Sequence, residues 1–357
     1  MKSITAEVNN QYFSLSMLLC YNDIVPLVRP LKIGNVQLKN NLIMAPMAGY
    51  TDIAFRKICK QLGAGLTVTE MVSVRGLVHG SVKTKDLMAL DPLETPSCVQ
   101  LFGSAYEDFS LAAQKNLIDG FDIIDINMGC PMPKIVKNGE GSALLSTPQK
   151  AADIVKALVA LGKTVTVKVR LGQKDKGNAV DFCLRMQGAG ASAITLHGRT
   201  AVQLYSGLAD WDSIAEVAAK MSIPVIGNGD IKSTQDALSK LKTYSLSGIM
   251  LGRGALANPN IFFELNNLCG IENPLVGDTA LGVPLSLQQI MLNHLNYTLE
   301  HFSEQYTIHK LRKHFAYYLK GITGIGKIKA ALLTASSAVQ VKLILDQLPT
   351  PTYIYLK

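Results

Sequence analysis

The segment FDIIDINMGCP, residues 121–131, is the part of this 357-residue chain that best indicates its fold. Residues 121–125 form a short apolar run typical of a buried strand, and Asn-Met-Gly-Cys-Pro then ends the strand with turn residues. Cys130 is therefore predicted on a loop just past a strand end, where a thiol is well placed to act as an acid or a nucleophile. Taken alone, such a residue is more often a structural cysteine in an ordinary turn, so the rest of the chain decides.

Similar apolar runs recur between Leu31 and about Phe263, and they alternate with amphipathic, helix-like stretches such as 148–161 and 213–220. We count eight runs, at residues 41–44, 65–70, 97–102, 123–127, 164–170, 193–197, 223–227 and 248–252. Eight β-then-α units predict an α/β fold, a (β/α)8 TIM barrel, with a doubly wound sheet as the alternative.

Polar or special residues stand at the carboxyl ends of most of these runs. They are Pro46, Glu70, Gln100, Asn127 with Cys130, Lys168 with Arg170, His197, Asn228 and Arg253. In a barrel these ends meet on one face, where active sites form. Any one of these residues alone fits a cap or a turn, but the whole set at matching positions predicts a functional face.

Two glycine-rich turns follow the last two runs, Gly227-Asn228-Gly229-Asp230 and Gly252-Arg253-Gly254. Backbone N–H groups in such turns commonly bind phosphate, and Arg253 adds a guanidinium. The pair predicts a site for a phosphorylated ligand such as flavin mononucleotide (FMN). No GxGxxG motif follows the first strand, so a Rossmann dinucleotide site is not indicated.

Lys168 alternates with valines in its run, so its side chain is predicted to point into the barrel. A buried ammonium needs an anionic partner. A flavin ring edge or a ribityl phosphate would serve, and a salt bridge to Asp125 or Glu70 is the alternative. His197 is predicted to hydrogen-bond a ring carbonyl, unless it is a core histidine whose partners lie within the protein.

Composition limits the class of protein. The formal charge is +8, which favours a polyanionic partner, although solubility alone could account for it. Six cysteines without a CxxC pair argue against a zinc site or a disulfide framework and favour a reducing compartment. The cysteine pattern therefore predicts no metal and a cytoplasmic location. The chain has no apolar run long enough for a membrane span, so we expect no membrane association.

The pattern divides the chain into four parts. We expect a poorly ordered N-terminal extension at 1–30, the barrel at 31–268, a linker rich in Gly, Pro, Asn and Asp at 269–284, and a helical domain at 285–357. Basic and aromatic residues interleave in the helical part, at His301, His309, Lys310, Arg312, Lys313, His314, Phe315, Tyr317, Tyr318 and Lys320. This composition suits RNA binding, and it equally suits a helix with a basic solvated face and an aromatic core face.

At this level of detail the chain resembles the tRNA-dihydrouridine synthases, flavin enzymes, and most closely their bacterial B-type branch. The resemblance covers about residues 31–320 and includes Lys137 and the helical Arg312-Lys313-His314. The matching motifs are APMAGYTD (45–52), TEM (69–71), VQLFG (99–103), DINMGCP (125–131), GSALL (141–145), VKVR (167–170), LHGRT (196–200), GNGD (227–230) and GR (252–253). The first 30 residues match nothing in the family, and the part after Gly321 is less recognisable.

The resemblance implies a TIM barrel that holds FMN, followed by a small helical tRNA-binding domain, in a protein that we expect to be a monomer. It also implies roles by position. Pro46, Met47 and Ala48 line the flavin ring; Gln100, Lys168 and His197 hydrogen-bond the isoalloxazine or ribityl; Asn228, Gly229, Asp230, Gly252 and Arg253 hold the ribityl-phosphate end; Asn127 contacts the target uracil; Cys130 is the proton donor; and Arg199 and Lys137 meet RNA phosphate.

The implied reaction is the NADPH-dependent reduction of D-loop uridines in tRNA to 5,6-dihydrouridine. Hydride passes from N5 of reduced FMN to C6 of the uracil, and Cys130 protonates C5 as a neutral thiol. Two rival functions remain. One is an FMN barrel that acts on free pyrimidines, such as a dihydroorotate or dihydropyrimidine dehydrogenase, and the other is an RNA-binding factor without chemistry.

Overall fold

The computed structural model describes residues 26–177, 179–271 and 284–349. The predicted N-terminal extension, up to residue 25, and most of the predicted linker lie outside these ranges. The strands are β1 (Leu31–Ile33), β2 (Val36–Leu38), β3 (Leu42–Met44), β4 (Leu66–Thr67), β5 (Met71–Ser73), β6 (Cys98–Phe102), β7 (Ile123–Met128), β8 (Val165–Arg170), β9 (Ala193–His197), β10 (Val225–Asn228) and β11 (Gly248–Leu251).

The sheet confirms the predicted barrel. Nine parallel strands pair in the order β4-β3-β11-β10-β9-β8-β7-β6-β5. The two end strands of this order, β4 and β5, are consecutive in the chain and separated only by residues 68–70, so together they form one barrel strand that closes the ring. From β5 to β11 each strand pairs with its successor in the chain, which excludes the doubly wound alternative.

The predicted run 65–70 therefore differs from the structure, because the second barrel strand is interrupted. At the interruption the Thr69 amide donates to the Cys98 carbonyl at 3.1 Å, and Thr69 Oγ1 accepts from the Gln100 amide at 3.1 Å. A side-chain hydroxyl thus replaces a main-chain carbonyl for one step of the ladder. This substitution keeps the buried N–H of Gln100 paired while the strand shifts between its two neighbours.

The hairpin formed by β1 and β2 closes the amino-terminal end of the barrel. Leu31, Ile33 and Leu38 pack in one cluster with inward-facing strand residues, which include Ile43, Leu66, Cys98, Ile123, Ala193, Ile226 and Met250. Gly34, at the hairpin turn with φ 55°, lies against Ser192 and Thr164, just before β9 and β8. The amino-terminal half of the barrel is therefore a filled core, and any ligand site is restricted to the opposite face.

Helices cover the outside of the barrel and follow the predicted alternation. They are α1 (Ile53–Gln61), α2 (Val74–Val78), α3 (Val82–Asp86), α4 (Tyr106–Gln114), α5 (Pro133–Lys137), α6 (Pro148–Val159), α7 (Ala179–Gly188), α8 (Trp211–Lys220), α9 (Thr234–Thr243), α10 (Arg253–Ala257) and α11 (Ile261–Leu268). Side-chain caps fix several starts: Asp52, for example, accepts from the Phe55 amide at 2.9 Å at the start of α1.

Four further helices follow the barrel, as predicted: α12 (Leu287–His301), α13 (Glu304–Tyr318), α14 (Gly326–Thr334) and α15 (Ala338–Leu345). A capping box of Ser286 and Gln289 starts α12. Their buried side chains, such as Leu311 and Phe315, belong to the same hydrophobic cluster as the outer barrel residues Phe55 and Leu256. Among the helices of the described residues, none is long and apolar enough to cross a membrane.

Candidate active site

Strand register brings most of the predicted site residues to the carboxyl face of the barrel. Lys168 of β8 is paired with Asn127 of β7, and Asn228 of β10 is paired with His197 of β9. His197 is also in register with Arg170. The convergence that the sequence predicts is therefore present across four adjacent strands.

A hydrogen-bond chain runs across β8, β7 and β6 and ends at the loop that carries Cys130. Thr166 Oγ1 donates to Asp125 Oδ1 at 2.7 Å, and Gln100 Nε2 donates to Asp125 Oδ2 at 2.7 Å. Asn127 Nδ2 donates to Gln100 Oε1 at 2.8 Å. Asn127 Oδ1 then accepts from the amides of Gly129 at 3.2 Å and Cys130 at 2.9 Å.

The Asp125 carboxylate sets the direction of this chain. Because an ionised carboxylate only accepts hydrogen bonds, Gln100 must present its amide nitrogen to Asp125 and its oxygen to Asn127. Asn127 must in turn present its nitrogen to Gln100 and its oxygen to the amide of Cys130. Burial raises the pKa of Asp125, while the hydrogen bonds from Gln100 and Thr166 oppose that effect.

Arg170 holds the same loop from the other side. Its Nε donates to the Gly129 carbonyl at 3.0 Å, and its Nη1 donates to the carbonyls of Thr200 at 2.8 Å and Leu204 at 2.9 Å. The guanidinium therefore ties the loop after β7 to the loop after β9. Sequence analysis placed Arg170 at a strand end but assigned it no role.

Cys130 differs from the buried thiols Cys59, Cys98 and Cys183 because it is partly exposed. Burial raises the pKa of the Cys130 thiol, and the charges of Arg170 and Lys168 only partly oppose this effect. The thiol is therefore protonated at neutral pH and can donate its proton as a general acid.

Lys168 contacts a neutral partner rather than a carboxylate. Its Nζ donates to Asn228 Oδ1 at 3.1 Å, and Asn228 Nδ2 donates to the Met250 carbonyl at 2.8 Å. Within the described part of the chain, Lys168 makes no ion pair, so neither Asp125 nor Glu70 neutralises it by direct contact. Burial lowers the pKa of Lys168 to about 8, which leaves it charged at neutral pH.

His197 is surrounded by positive charge. Burial lowers its pKa to about 2, and the charges of Lys168, Arg170, Arg199 and Arg253 act in the same direction. The imidazole is therefore neutral throughout the physiological range. One ring nitrogen can donate a hydrogen bond and the other can accept one.

Arg199 is committed within the protein. Its Nη2 contacts both Asp230 oxygens, at 2.9 and 2.7 Å, and its side chain is only 2% exposed. It would have to leave Asp230 to meet RNA phosphate, as the resemblance implies. Lys137, at the end of α5, is exposed and free to meet such a phosphate.

Asp230 places a carboxylate within the predicted phosphate loops, and this carboxylate pairs with groups of the protein itself. Besides Arg199, its carboxylate accepts from the Ala209 amide at 2.7 Å and lies 3.6 Å from Arg253. These interactions lower the pKa of Asp230 against the effect of burial. The side chain contacts two arginines, so the backbone N–H groups are the candidate donors for the predicted phosphate.

The glycine turns are shaped for close approach. Gly229 has φ 128°, and a Cβ there would lie 2.6 Å from Ala209 Cβ and 3.0 Å from the His197 ring. Gly252 begins α10, and Arg253, 45% exposed on its side chain, lies over the Tyr205 ring at 4.3 Å. Asp230 itself has a positive φ, 54°, a conformation that is uncommon outside Gly but that Asn and Asp adopt more readily than most residues.

The loop after β3 completes the rim. Ala45 donates its amide to the Leu251 carbonyl at 2.8 Å, and Met47 donates its amide to Thr51 Oγ1 at 2.9 Å. Pro46 and Met47 are partly exposed and Ala48 is exposed, so all three can line a ligand at this face. The described residues include no group of three or more His, Cys, Asp and Glu side chains that could hold a metal ion.

Sequence reasoning missed the supporting residues Thr166, Asp125 and Arg170. A signal was present in part. Thr166, Lys168 and Arg170 occupy every second position of β8, so their side chains share the face of the strand that points into the barrel. Their partners on neighbouring strands could not be identified without the register.

Comparison with known proteins agrees with the resemblance found in the sequence. The family model described as "Dihydrouridine synthase (Dus)" matches residues 43–349. A Vibrio parahaemolyticus protein named tRNA-dihydrouridine synthase B is 41% identical over 293 residues, covering 81% of this chain and 89% of that protein. A Synechocystis protein named probable tRNA-dihydrouridine synthase 1 is 37% identical over 323 residues, covering 89% of each chain.

Among solved structures, histamine dehydrogenase from Rhizobium sp. 4-9 matches with a TM-score of 0.52 and 16% identity, over 76% of this chain and 51% of that one. At this identity the likeness concerns the fold alone. The family match and the two relatives cover nearly all of the chain that the structure describes. The chain belongs to the dihydrouridine synthase family.

Proposed function

We propose that this protein is a tRNA-dihydrouridine synthase that binds FMN, takes electrons from NADPH and reduces uridines of the tRNA D-loop. The family match supports the reaction class, and the relatives' names support tRNA as the substrate. The observation that carries the mechanism is the position of Cys130, a partly exposed neutral thiol held from two sides at the carboxyl face of the barrel.

The residues present fit a flavin phosphate. Four cations lower the pKa of His197, and two of them, Arg170 and Lys168, make no ion pair within the described residues. An anionic ligand would offset the cost of placing that ammonium in a partly buried site. The absence of a side chain at Gly229 lets Ala209 and the His197 ring pack directly against the backbone of this turn, where a Cβ would collide with both.

When bound, FMN accepts electrons from NADPH and supplies a hydride to C6 of the uracil. Lys168 and neutral His197 would hold the polar edge of the ring, and Asn228 keeps the ammonium of Lys168 in place through the 3.1 Å contact. Pro46, Met47 and Ala48 would line the ring plane. The turns at Gly229 and Gly252 would bind the phosphate end through backbone N–H groups.

The chain's own chemistry is proton transfer. The Cys130 Sγ–H is proposed to protonate C5 of the uracil, which requires the target base to leave its stack in the folded RNA. Asn127 and Arg170 bind the N–H and the C=O of the peptide group between Gly129 and Cys130, so the position of the thiol is set before the substrate arrives. Asn127 Nδ2 donates to Gln100 and also to Met71 Sδ at 3.9 Å, so a uracil contact would replace this weak sulfur contact.

The test is an anaerobic single-turnover experiment on the FMN-loaded protein. Enzyme reduced with NADPH is mixed with unmodified tRNA, and flavin reoxidation is followed by absorbance. We expect rapid, tRNA-dependent reoxidation in the parent protein. We expect a rate lower by about 10²- to 10⁴-fold in Cys130→Ala, the range that a positioned general acid contributes.

Cys183→Ala is the matched control, because Cys183 is a buried thiol on α7, outside the active-site face. It should reoxidise at the parent rate. If Cys130→Ala does likewise, the thiol is not the acid. If tRNA has no effect but a free pyrimidine reoxidises the flavin, the protein is a pyrimidine dehydrogenase instead.

A further inference from the structure

Three side chains meet where the barrel face joins the C-terminal helices. Tyr50 follows the loop after β3, and Lys313 and Tyr317 lie one turn apart on α13. The Tyr50 and Tyr317 rings are 5.6 Å apart at 86°, and the Lys313 ammonium lies 4.6 Å from the centroid of the Tyr50 ring. Lys313 Nζ also donates to the Gly49 carbonyl.

This cluster is open enough to bind a ligand. Each of the three side chains is partly exposed, whereas the neighbouring His314 and Tyr318 of α13 are fully buried. Lys313 makes no ion pair within the described residues, unlike Lys310, which is paired with Asp52 at 2.9 Å. Glu70 and Asp52 act on the Lys313 ammonium only from beyond ion-pair distance, and an ammonium beside two phenol rings can bind a phosphate and a base at the same time.

Its position links the cluster to the reaction site. The Tyr50 amide donates to the Met47 carbonyl at 2.9 Å, so Tyr50 is in the same turn as the residues that face the flavin ring in the proposed function. The cluster therefore lies beside the turn that faces the proposed flavin ring, on the side of the C-terminal helices.

We infer that Tyr50, Lys313 and Tyr317 form a subsite for a nucleotide that flanks the target uridine in the RNA strand. The Lys313 ammonium binds its phosphate, the Tyr317 ring stacks against its base, and the perpendicular Tyr50 ring contacts the edge of that base. This inference rests on the proposed function, because it needs an RNA substrate. The adenine nucleotide of NADPH offers the same chemistry, so the experiment separates the two sources.

The experiment measures tRNA binding to the FMN-loaded protein against salt concentration. We expect Lys313→Gln to raise the Kd for tRNA roughly tenfold. The association constant falls as salt rises, and in this variant the slope of its logarithm against log salt concentration should be less steep by about one, the value for one phosphate contact. Lys313→Arg should restore the slope. Tyr317→Ala should also weaken binding roughly tenfold, the usual effect of losing one stacked base.

A transcript with an abasic residue beside the mapped target uridine supplies the decisive comparison. The parent protein should lose affinity for it, and Tyr317→Ala should lose no more, because the stacking partner is already absent. Lys156→Gln on α6, which removes an exposed lysine from the outer surface, is the charge-matched control and should bind like the parent. Bound flavin and thermal unfolding verify that each variant is folded.

The results that would refute the subsite can be distinguished from those that would refute the proposed function. If the parent reduces tRNA but Lys313→Gln and Tyr317→Ala bind it unchanged, the subsite is refuted and the proposed function stands. If these variants instead raise the KM for NADPH without affecting tRNA, the cluster binds the dinucleotide and the inference is wrong. If the parent neither binds nor reduces tRNA, the proposed function fails and the inference fails with it.

Discussion

Replacing Asn127 by aspartate tests whether the polar chain behind Cys130 has a fixed direction. In the parent, the Asn127 nitrogen donates to Gln100 Oε1 at 2.8 Å. In Asn127→Asp an oxygen replaces that nitrogen and faces Gln100 Oε1. Rotating the Gln100 amide does not relieve the conflict, because its oxygen would then face the Asp125 carboxylate, now 2.7 Å from the nitrogen.

The cost can be derived from these contacts. Two opposed acceptors in a buried site cost about 1–3 kcal/mol of stability. One proton shared by the new carboxyl and Asp125 removes the conflict, so the pair takes up a proton more readily when folded than when unfolded. A folded-state pKa above the unfolded value of about 3.9 means that the stability of the variant relative to the parent rises as pH falls from 8 toward 5.

The assay is urea unfolding of parent, Asn127→Asp and Asn127→Ala at pH 5.5 and pH 8. Asn127→Ala also breaks the chain, but it adds no titratable group, so its loss of stability relative to the parent should not change with pH. Taking differences from the parent removes the titration of all other groups. The reasoning is refuted if the aspartate and alanine variants show the same pH dependence, or if aspartate costs nothing at pH 8.

Three further predictions concern charges and histidines. Lys310→Met leaves the Asp52 carboxylate unpaired at a position where its side chain is 5% exposed, so urea unfolding should show a loss of about 3 kcal/mol, with partial recovery in the double variant with Asp52→Asn. Burial lowers the pKa of His294 to about 4 and that of His314 well below 6.5. Below pH 6.5 each histidine is therefore protonated only in the unfolded protein, and the free energy of unfolding should fall by up to about 1.4 kcal/mol per pH unit for each of them. In His314→Phe this fall should be less steep. Flavin affinity, measured by titration between pH 7 and 9.5, should fall as pH rises through about 8, where Lys168 loses its proton, and Lys168→Met should remove this dependence.

The barrel was predictable because its signal is local and repeated. Each apolar run needs only its own residues to indicate a buried strand, and the order of runs along the chain then gives the order of strands. The interruption at residues 68–70 was not predictable. It depends on Thr69 Oγ1 accepting the Gln100 amide, a contact between residues 31 positions apart that no periodicity encodes.

The site shows the same division. Convergence of the strand ends follows from topology, so Lys168, His197 and Asn228 could be placed on one face from the sequence. The partner within the protein could not be predicted: a salt bridge to Asp125 or Glu70 was the alternative to a flavin contact, and in the structure the Lys168 ammonium contacts the amide oxygen of Asn228. Arg199, in turn, is paired with Asp230, a contact that removes it from the exposed surface.

The C-terminal helices show why composition supports two readings of one segment. A basic and aromatic helix can face RNA or pack on its own protein, and most of the basic and aromatic residues of α13 pack on the protein. Lys310, His314 and Tyr318 are turned inward against the barrel, and the Arg312 guanidinium donates to the Ala335 carbonyl at 3.2 Å. Most of the apparent RNA signal in this helix is therefore used for docking α13 onto the barrel and onto α14. That use fixes the orientation of the helix, and it brings Lys313 and Tyr317 of the same helix to the edge of the carboxyl face of the barrel.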